Sequence, residues 1–220
     1  MSYDLYLRDP VTGEVLEVPG HMMFGGNIPC DYVSGTFVPK PTMSAYLNIT
    51  YNYSRYYYGA FPGPDADDPK ALSQHRKDCE TYGFDPGYGG IEVLNGMTGV
   101  NAVPILQEMI RRIEERYRKE DGTWIVTQRE RTVVTDRKTG KREEEPILIL
   151  YLDCRPQGLS EEETEKELNE KYEFHQERYE QDEGYTGNYW ELTAANAIKP
   201  LYQLIALSKL RPDGTWSEES

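Results

Sequence analysis

The sequence predicts an α+β fold, in which two amphipathic helices cover a small antiparallel sheet that also carries an inserted β-hairpin and a long acidic helix. Three patterns lead to this prediction. Apolar residues alternate with a period of two in residues 3–8 and 46–53, as in half-buried strands. They recur with helical spacing in residues 100–118 and 194–209. Two more alternating runs flank the Lys138-Thr139-Gly140 turn, which is typical of a hairpin.

The residue pattern of the N-terminal segment predicts a β-hairpin. Residues 3–8 alternate around Leu5 and Leu7, and Asp-Pro and Thr-Gly turn signals lead to a second short strand at 14–18. Residues 20–44 are rich in glycine and proline and show little periodicity, so we expect a long loop or arm there.

The stretch LNITYNYSRYYYGAF, residues 47–61, contains the clearest half-buried strand, at 46–53. A period of two gives this strand an apolar face and a polar face. The apolar face comprises Leu47, Ile49, Tyr51 and Tyr53, and the polar face Tyr46, Asn48, Thr50 and Asn52. The insertion that follows, at 59–88, contains one short helix near 69–80.

The two amphipathic helices have clear start signals. Thr98 is the predicted N-cap of the helix at 100–118, and Thr193 that of the helix at 194–209. Arg211-Pro212 ends the second helix, because the residue before a proline avoids helical geometry.

The residue patterns between these two helices predict a β-hairpin and a long helix. Strands near 123–135 and 143–153 form the inserted hairpin. Residues 160–183 carry eleven acidic residues and three basic ones, a local charge of −8, with a thin apolar stripe. Such a segment favours a long helix on the surface.

We expect one elaborated domain. Its core is predicted in residues 1–19, 45–58, 89–118 and 184–216, with insertions at 20–44, 59–88 and 119–183.

Composition narrows the class of function. The formal charge is 24 − 38 = −14, which disfavours direct nucleic-acid binding because phosphate neutralisation by Lys and Arg supplies most of that affinity. The chain has no run of 18 apolar residues and no basic, apolar N-terminal signal, so we expect no membrane association and a cytoplasmic location. Three widely spaced cysteines fit reduced thiols.

Catalytic, metal and cofactor motifs are weak in this sequence. His75 and Cys79 could share a helix face, but no second ligand pair accompanies them. No nucleophile elbow or P-loop is present. The sequence therefore predicts no cofactor and no metal, and leans against an enzyme while leaving that question open.

Polar and aromatic residues near the predicted strand suggest a ligand site. Amides discriminate by hydrogen bonds, aromatic faces stack on bases, and guanidinium groups bind phosphate bidentately. A turn before the first amphipathic helix could also hold an anion through free N–H groups. The candidate ligand-binding residues are Asn48, Thr50, Asn52, Arg55, Tyr57, Asn95, Thr98, Trp190 and Glu191. The alternatives are a strand covered by the protein's own loops and a plain capped turn.

Four segments carry a resemblance to a known family. YDLYLRDPVTGEVLEVP, LNITYNYSRYY, GIEVLNGMTGVNAVPILQEMIRRI and YWELTAANAIKPLYQLIALSKLRPDGTW, in this order, resemble small uncharacterised proteins encoded by tailed phages and prophages of Gram-positive bacteria. The resemblance covers somewhat under half of the chain. It implies a viral origin and an accessory role in the host bacterial cytoplasm, but no activity.

The leading functional hypothesis is a non-enzymatic phage accessory protein that counters a host defence system by sequestering a nucleotide-type signalling ligand. In an alternative hypothesis, an acidic surface mimics nucleic acid and binds a host defence protein. The residues of that surface would be Glu161, Glu162, Glu163, Glu170 and Glu177. A virion or assembly protein and a small hydrolase remain further alternatives, and a homo-oligomer is possible.

Overall fold

The computed structural model of the protein describes residues 2–20, 30–143 and 161–219. The helices of this part are α1 (Ser54–Ala60), α2 (Pro69–Tyr82), α3 (Gly99–Tyr117), α4 (Glu161–Lys171) and α5 (Ala194–Leu210). The strands are β1 (Ser2–Arg8), β2 (Glu17–Pro19), β3 (Cys30–Val33), β4 (Thr36–Pro39), β5 (Thr42–Ser44), β6 (Tyr46–Thr50), β7 (Val126–Asp136), β8 (Arg142–Glu143), β9 (Tyr172–Asp182) and β10 (Thr215–Glu219). Helices combined with small antiparallel sheets confirm the predicted α+β fold.

The chain forms two compact units. The first comprises Met1–Ile125 and Glu183–Ser220, and the second Val126–Asp182. The second unit lies within the segment predicted as an insertion at 119–183.

A three-stranded antiparallel sheet of order β10-β1-β6 forms the centre of the first unit. Tyr3, Leu5 and Leu7 alternate along β1 with no exposed surface, as a half-buried strand requires. Leu5 is paired with Leu47 of β6 and with Glu218 of β10. Strand β10 was not predicted, because the predicted core ends at residue 216 and Trp216 is the one apolar residue of this short strand.

Helices α3 and α5 confirm the predicted amphipathic pair. The side chain of Thr98 accepts a hydrogen bond from the Asn101 amide at 3.4 Å, and that of Thr193 accepts one from the Asn196 amide at 3.2 Å. These caps satisfy amide groups that a helix N-terminus leaves without intrahelical partners. The apolar stripes of both helices join the buried side of the central sheet in one core.

A buried carboxylate also holds the start of α5. Glu183 has no exposed surface, and its carboxylate accepts hydrogen bonds from the Tyr56 hydroxyl at 2.7 Å and the Ala194 amide at 2.9 Å. Burial of a charged group requires such donors, since an unpaired carboxylate in the core is strongly unfavourable.

The prediction of a loop or arm at 20–44 is wrong for the described residues 30–44. Strands β3 and β4 form a hairpin whose turn residues Ser34 and Gly35 both have positive φ, 50° and 85°. Positive φ at both central residues is typical of two-residue hairpin turns, whose twist matches that of the flanking strands. Strand β5 pairs with β2. The predicted strand at 14–18 is linked to β1 through the bridge between Arg8 and Val15 and through a hydrogen bond from the Leu16 amide to the Leu7 carbonyl at 2.9 Å.

The strand predicted at 46–53 ends at Thr50. The Thr50 hydroxyl accepts a hydrogen bond from the Asn52 amide and starts a 3₁₀ helix, Tyr51–Tyr53, which leads directly into α1. Serine and threonine favour such local bonds over a continuing strand. The predicted apolar face is therefore confirmed for Leu47 and Ile49, which are buried. The predicted division into two faces does not extend to Tyr51 and Asn52, which lie on the 3₁₀ helix.

The second unit corrects the predicted long acidic helix. Helix α4 ends at Lys171, and residues 172–182 form β9, which pairs with β7 along its whole length. Charge explains this pairing, because Glu130 lies opposite Arg178 and Arg131 lies opposite Glu177. Of the predicted strand at 143–153, residues 144–153 lie outside the described part of the chain.

Among the residues that the structure describes, no helix is both long enough and apolar enough to cross a membrane.

Candidate functional site

The first unit contains a groove lined by residues of α1, α2 and α3, the loop at 62–66 and the segment 87–92. We refer to it as the Tyr58 groove. Its volume is about 460 Å³, which lies in the range of small-molecule sites. Its lining residues are Tyr58, Gly59, Pro62, Gly63, Pro64, Asp65, Ala66, Ala71, Gly87, Gly89, Glu92 and Arg116.

Tyr58 supplies an aromatic ring to this groove. The helical turn of α1 directs Tyr57 into the core and leaves Tyr58 with 36% of its surface exposed. Gly89 and Gly90 allow the ring to lie against the backbone, since a Cβ at either position would come within 2.9 Å of a ring carbon. The ring therefore has a fixed position in the wall of the groove.

Glu92 places an acceptor beside this ring. It belongs to the 3₁₀ helix Gly90–Leu94, and its carboxylate lies close enough to the Tyr58 hydroxyl to oppose the ionisation of that group. Burial, followed by the nearby Glu92 carboxylate, raises the pKa of Tyr58 to about 12. The tyrosine is therefore neutral at physiological pH, and its hydroxyl is a hydrogen-bond donor.

Arg116 supplies the positive charge of the groove. It lies on the last turn of α3, and its guanidinium carbon is 5.7 Å from the centre of the Tyr117 ring. Within the described residues, no carboxylate lies within ion-pair distance of this guanidinium. Gly59 leaves space beside it, because a Cβ there would lie 3.0 Å from Nη1 of Arg116.

A second groove begins at the same place. We refer to it as the Arg112 groove, with a volume of about 540 Å³. It shares Gly59, Pro62 and Arg116 with the Tyr58 groove. The residues that line only this second groove are Ala60, Gln74, Arg111, Arg112 and Glu115.

The other two guanidinium groups in the Arg112 groove are neutralised by the protein. Arg112 donates to both carboxylate oxygens of Asp78, at 2.6 and 2.7 Å, and to Glu108 at 2.7 Å. Arg111 pairs with Glu108 and with Glu115. Arg116 is therefore the guanidinium in these two grooves that can bind an external anion.

The residues predicted from the strand do not come together as one site. Asn48 is exposed on the open side of the sheet, where its amide donates to Ser2 and Asp4. Thr50 is buried, whereas Asn52 is exposed on the 3₁₀ helix. The prediction of one aligned row is wrong, because the chain stops being extended at Thr50.

Arg55 and Tyr57 point to different environments. Arg55 is exposed, with its guanidinium carbon 5.6 Å from the centre of the Tyr56 ring. Tyr57 has no exposed surface, and its hydroxyl donates to the Ala197 carbonyl at 2.9 Å. Tyr57 is therefore a core residue, and its neighbour Tyr58 is the tyrosine that reaches a groove.

The predicted anion turn at 95–99 uses its donors internally. The Gly99 amide donates to the Gly214 carbonyl at 2.8 Å, and the Val100 amide donates to Pro212 at 3.2 Å. The Asn95 side chain accepts from the Glu218 amide at 2.6 Å. Asn95 and Thr98 therefore join this turn to the C-terminal segment, and no amide of Gly99 or Val100 is left for an anion.

Trp190 and Glu191 line neither groove. Trp190 is 65% exposed and its ring meets the Tyr189 ring edge-on. The Glu191 carbonyl accepts a hydrogen bond from the Asn196 side chain at 3.1 Å. These residues lie in the segment before α5.

The alternative acidic surface is divided between two elements. Glu163 and Glu170 are exposed on α4, whereas Glu177 lies on β9 and is 2.5 Å from the Arg142 guanidinium. Glu161 and Glu162 belong to α4, but their side chains lie outside the described part. The prediction that these carboxylates lie along one helix is therefore wrong.

His75 and Cys79 serve packing in the first unit. His75 is buried, and its Nε2 lies 2.9 Å from the Pro86 carbonyl oxygen. Cys79 Sγ lies 3.7 Å from the same nitrogen, and burial raises the pKa of this thiol. Across the described residues, no three His, Cys, Asp or Glu side chains are grouped to hold a metal ion.

Comparisons with known proteins returned no match to a family model, a curated protein or a solved structure.

Proposed function

We propose that this protein is a non-enzymatic accessory protein that binds and sequesters a nucleotide-type signalling ligand in the Tyr58 groove. The observation that carries the proposal is the combination of Arg116, which has no carboxylate partner in the described residues, with the ring of Tyr58 in one groove. A guanidinium binds phosphate, and an aromatic ring provides a surface on which a base can stack.

The chemistry of Glu92 adds a means of recognition. A carboxylate accepts hydrogen bonds, so it can bind the amino or imino groups of a base or the hydroxyl groups of a ribose. The net charge of −14 repels polyanions at long range, whereas a small ligand needs only one local cation. This balance favours a nucleotide over a nucleic acid as the ligand.

The resemblance of four segments to proteins of tailed phages supports a place for this ligand in a host defence system. Sequestration of a signalling molecule requires tight binding and no chemical step. The protein would then act in the host bacterial cytoplasm, where such a ligand is produced.

A binding experiment tests the proposal. Small molecules released by heat from the purified protein are identified by mass spectrometry, and thermal shift is measured with a panel of mononucleotides, cyclic dinucleotides and ADP-ribose. We expect a nucleotide in the released fraction or a clear rise in Tm with at least one member of the panel, because a ligand that binds only the folded state stabilises it. No released nucleotide together with no shift would refute the proposal.

Matched variants locate the site. Arg116→Ala should abolish most of the shift, since losing a charge-assisted hydrogen bond costs about 1.5–3 kcal/mol, or roughly 10-fold or more in affinity. Arg76→Ala is the control, because Arg76 is an exposed cation on α2 that lines neither groove. Equal shifts in both variants would place the ligand elsewhere.

A further inference from the structure

The Tyr58 groove and the Arg112 groove meet at one cation. Both are lined by Gly59, Pro62 and Arg116, so a ligand bound to the Arg116 guanidinium has access to both sides. The two volumes, about 460 and 540 Å³, are each large enough for one nucleoside-sized group.

The lining of the Arg112 groove favours an uncharged polar group. Arg112 and Arg111 are neutralised by Asp78, Glu108 and Glu115. Gln74 lines this groove and donates through its side-chain nitrogen to Asp78 at 2.8 Å, which leaves its carbonyl oxygen available as an acceptor. Carboxylate and amide oxygens of this kind suit the hydroxyl groups of a sugar or the donor edge of a base, and they disfavour a second phosphate.

We propose that the ligand belongs to the dinucleotide class, with two nucleoside or sugar groups joined through phosphate. This inference rests on the proposed function, because it assigns the ligand of the same site. The bridging phosphate binds Arg116, one group stacks on Tyr58, and the other group lies in the Arg112 groove beside Gln74. A mononucleotide would fill only one side.

Gly59 makes this arrangement possible. It lies at the junction of the grooves, and a Cβ at this position would approach Nη1 of Arg116 to 3.0 Å. A side chain here would displace the guanidinium or occupy the passage between the two sides. Glycine therefore keeps the junction open.

Isothermal titration calorimetry on the full chain tests the inference with three probes: ADP, ADP-ribose and 3′,3′-cyclic di-AMP. We expect at least one of the two bridged probes to bind about 10-fold more tightly than ADP, a difference that corresponds to one good polar contact. Gln74→Trp fills part of the Arg112 groove. It should therefore raise the Kd of the tighter-binding bridged probe by about 10-fold and change the Kd of ADP by less than about 2-fold.

Arg76→Trp is the matched control, since it places the same side chain on the exposed surface of α2 outside both grooves. Equal affinity for ADP and both bridged probes, or equal weakening of ADP and the bridged probe by Gln74→Trp, would overturn the dinucleotide class while leaving nucleotide binding intact. If the wild-type protein binds none of the three probes and releases no nucleotide on heating, the proposed function fails as well.

Discussion

The buried ion pair between Asp78 and Arg112 gives the sharpest stability prediction. Asp78 is only 2% exposed, and the Arg112 guanidinium spans both of its oxygens, donates to the Ala60 carbonyl and lies 4.6 Å from the centre of the Phe61 ring. This contact ties α2 to α3 and to the end of α1. The change Asp78→Ala removes the principal partner of a guanidinium whose side chain is only 18% exposed.

The magnitude follows from the remaining contacts. Breaking a buried ion pair by removing one partner costs about 3–5 kcal/mol. Arg112 retains Glu108 at 2.7 Å, so we expect the low end of that range, about 3 kcal/mol. For a chain of this size, 1 kcal/mol shifts Tm by about 2–4 °C, so Tm should fall by about 6–12 °C.

Urea unfolding followed by tryptophan fluorescence measures this loss directly. All three tryptophans of the chain, Trp124, Trp190 and Trp216, belong to the first unit, so their signal reports its unfolding. The control is Asp67→Ala, which removes an exposed carboxylate from the loop before α2 and should change the free energy of unfolding by less than about 0.5 kcal/mol.

A double-mutant cycle tests the reason for the loss. Asp78→Ala combined with Arg112→Met removes the charge that the single change leaves buried, so the double variant should be about 1–3 kcal/mol more stable than the sum of the two losses predicts. Additive losses, or a loss below about 1 kcal/mol for Asp78→Ala alone, would refute the description of this pair as a buried, coupled contact.

The further predictions concern the tyrosines and the groove. Tyr57→Phe should lower the free energy of unfolding by about 1–2 kcal/mol, measured by urea unfolding, and leave ligand affinity unchanged, because it removes a buried hydrogen bond far from the ligand. Tyr58→Ala should lower the affinity for the ligand by about 10-fold in calorimetry, since stacking contributes about 1–3 kcal/mol per base. Loss of affinity in Tyr57→Phe and unchanged affinity in Tyr58→Ala would reverse the roles assigned to the two tyrosines. Gly89→Ala would place a Cβ against the Gly63 Cα and 2.9 Å from a Tyr58 ring carbon, so it should displace the loop at 62–66 together with the ring and lower the affinity for the ligand; unchanged affinity in the same titration would show that the position of this wall is unimportant. The Tyr58 hydroxyl should ionise near pH 12, seen as the ultraviolet absorbance difference between wild type and Tyr58→Phe, and Glu92→Gln should lower that midpoint because it removes a negative charge that opposes ionisation. Because burial raises the folded-state pKa of Tyr58 above its unfolded value of 10.0, its contribution to stability is present below about pH 10 and is lost as the pH rises toward 12.

Local periodicity predicted helices α3 and α5 and the first strand correctly. The stripes of α3 and α5 and their threonine caps are properties of adjacent residues, so they are visible in the sequence. The change at Thr50 was missed because a period of two was extended through Tyr51 and Tyr53. The spacing of Tyr53, Tyr56, Tyr57 and Ala60, all buried, is helical, and it was the available signal for α1.

Strand β9 was missed for a different reason. Its many acids resemble a solvated helix when they are considered alone. In the sheet, however, Glu177 lies opposite Arg131 of β7 and pairs with Arg142 of β8, both distant in sequence. Cross-strand pairing of this kind depends on which strand becomes the neighbour, and local pattern does not specify that.

The candidate site depends on tertiary structure in the same way. Tyr58, Glu92 and Arg116 come from α1, a 3₁₀ helix and α3, and no spacing in the sequence links them. Tyr58 follows Tyr57 directly in the sequence, and a strand period of two gives no reason to choose it as the residue of the site. Arg116 lies in the charged last turn of α3, where the local sequence gives no reason to single it out.

Calorimetric titration of wild type, Arg116→Ala and Arg76→Ala with the nucleotide identified by mass spectrometry tests the central claim most directly. The account predicts equal affinity for wild type and Arg76→Ala, and a loss of about 10-fold or more for Arg116→Ala with the fold intact by circular dichroism. Equal affinity of all three proteins would contradict it, because the Arg116 guanidinium would then have no part in binding.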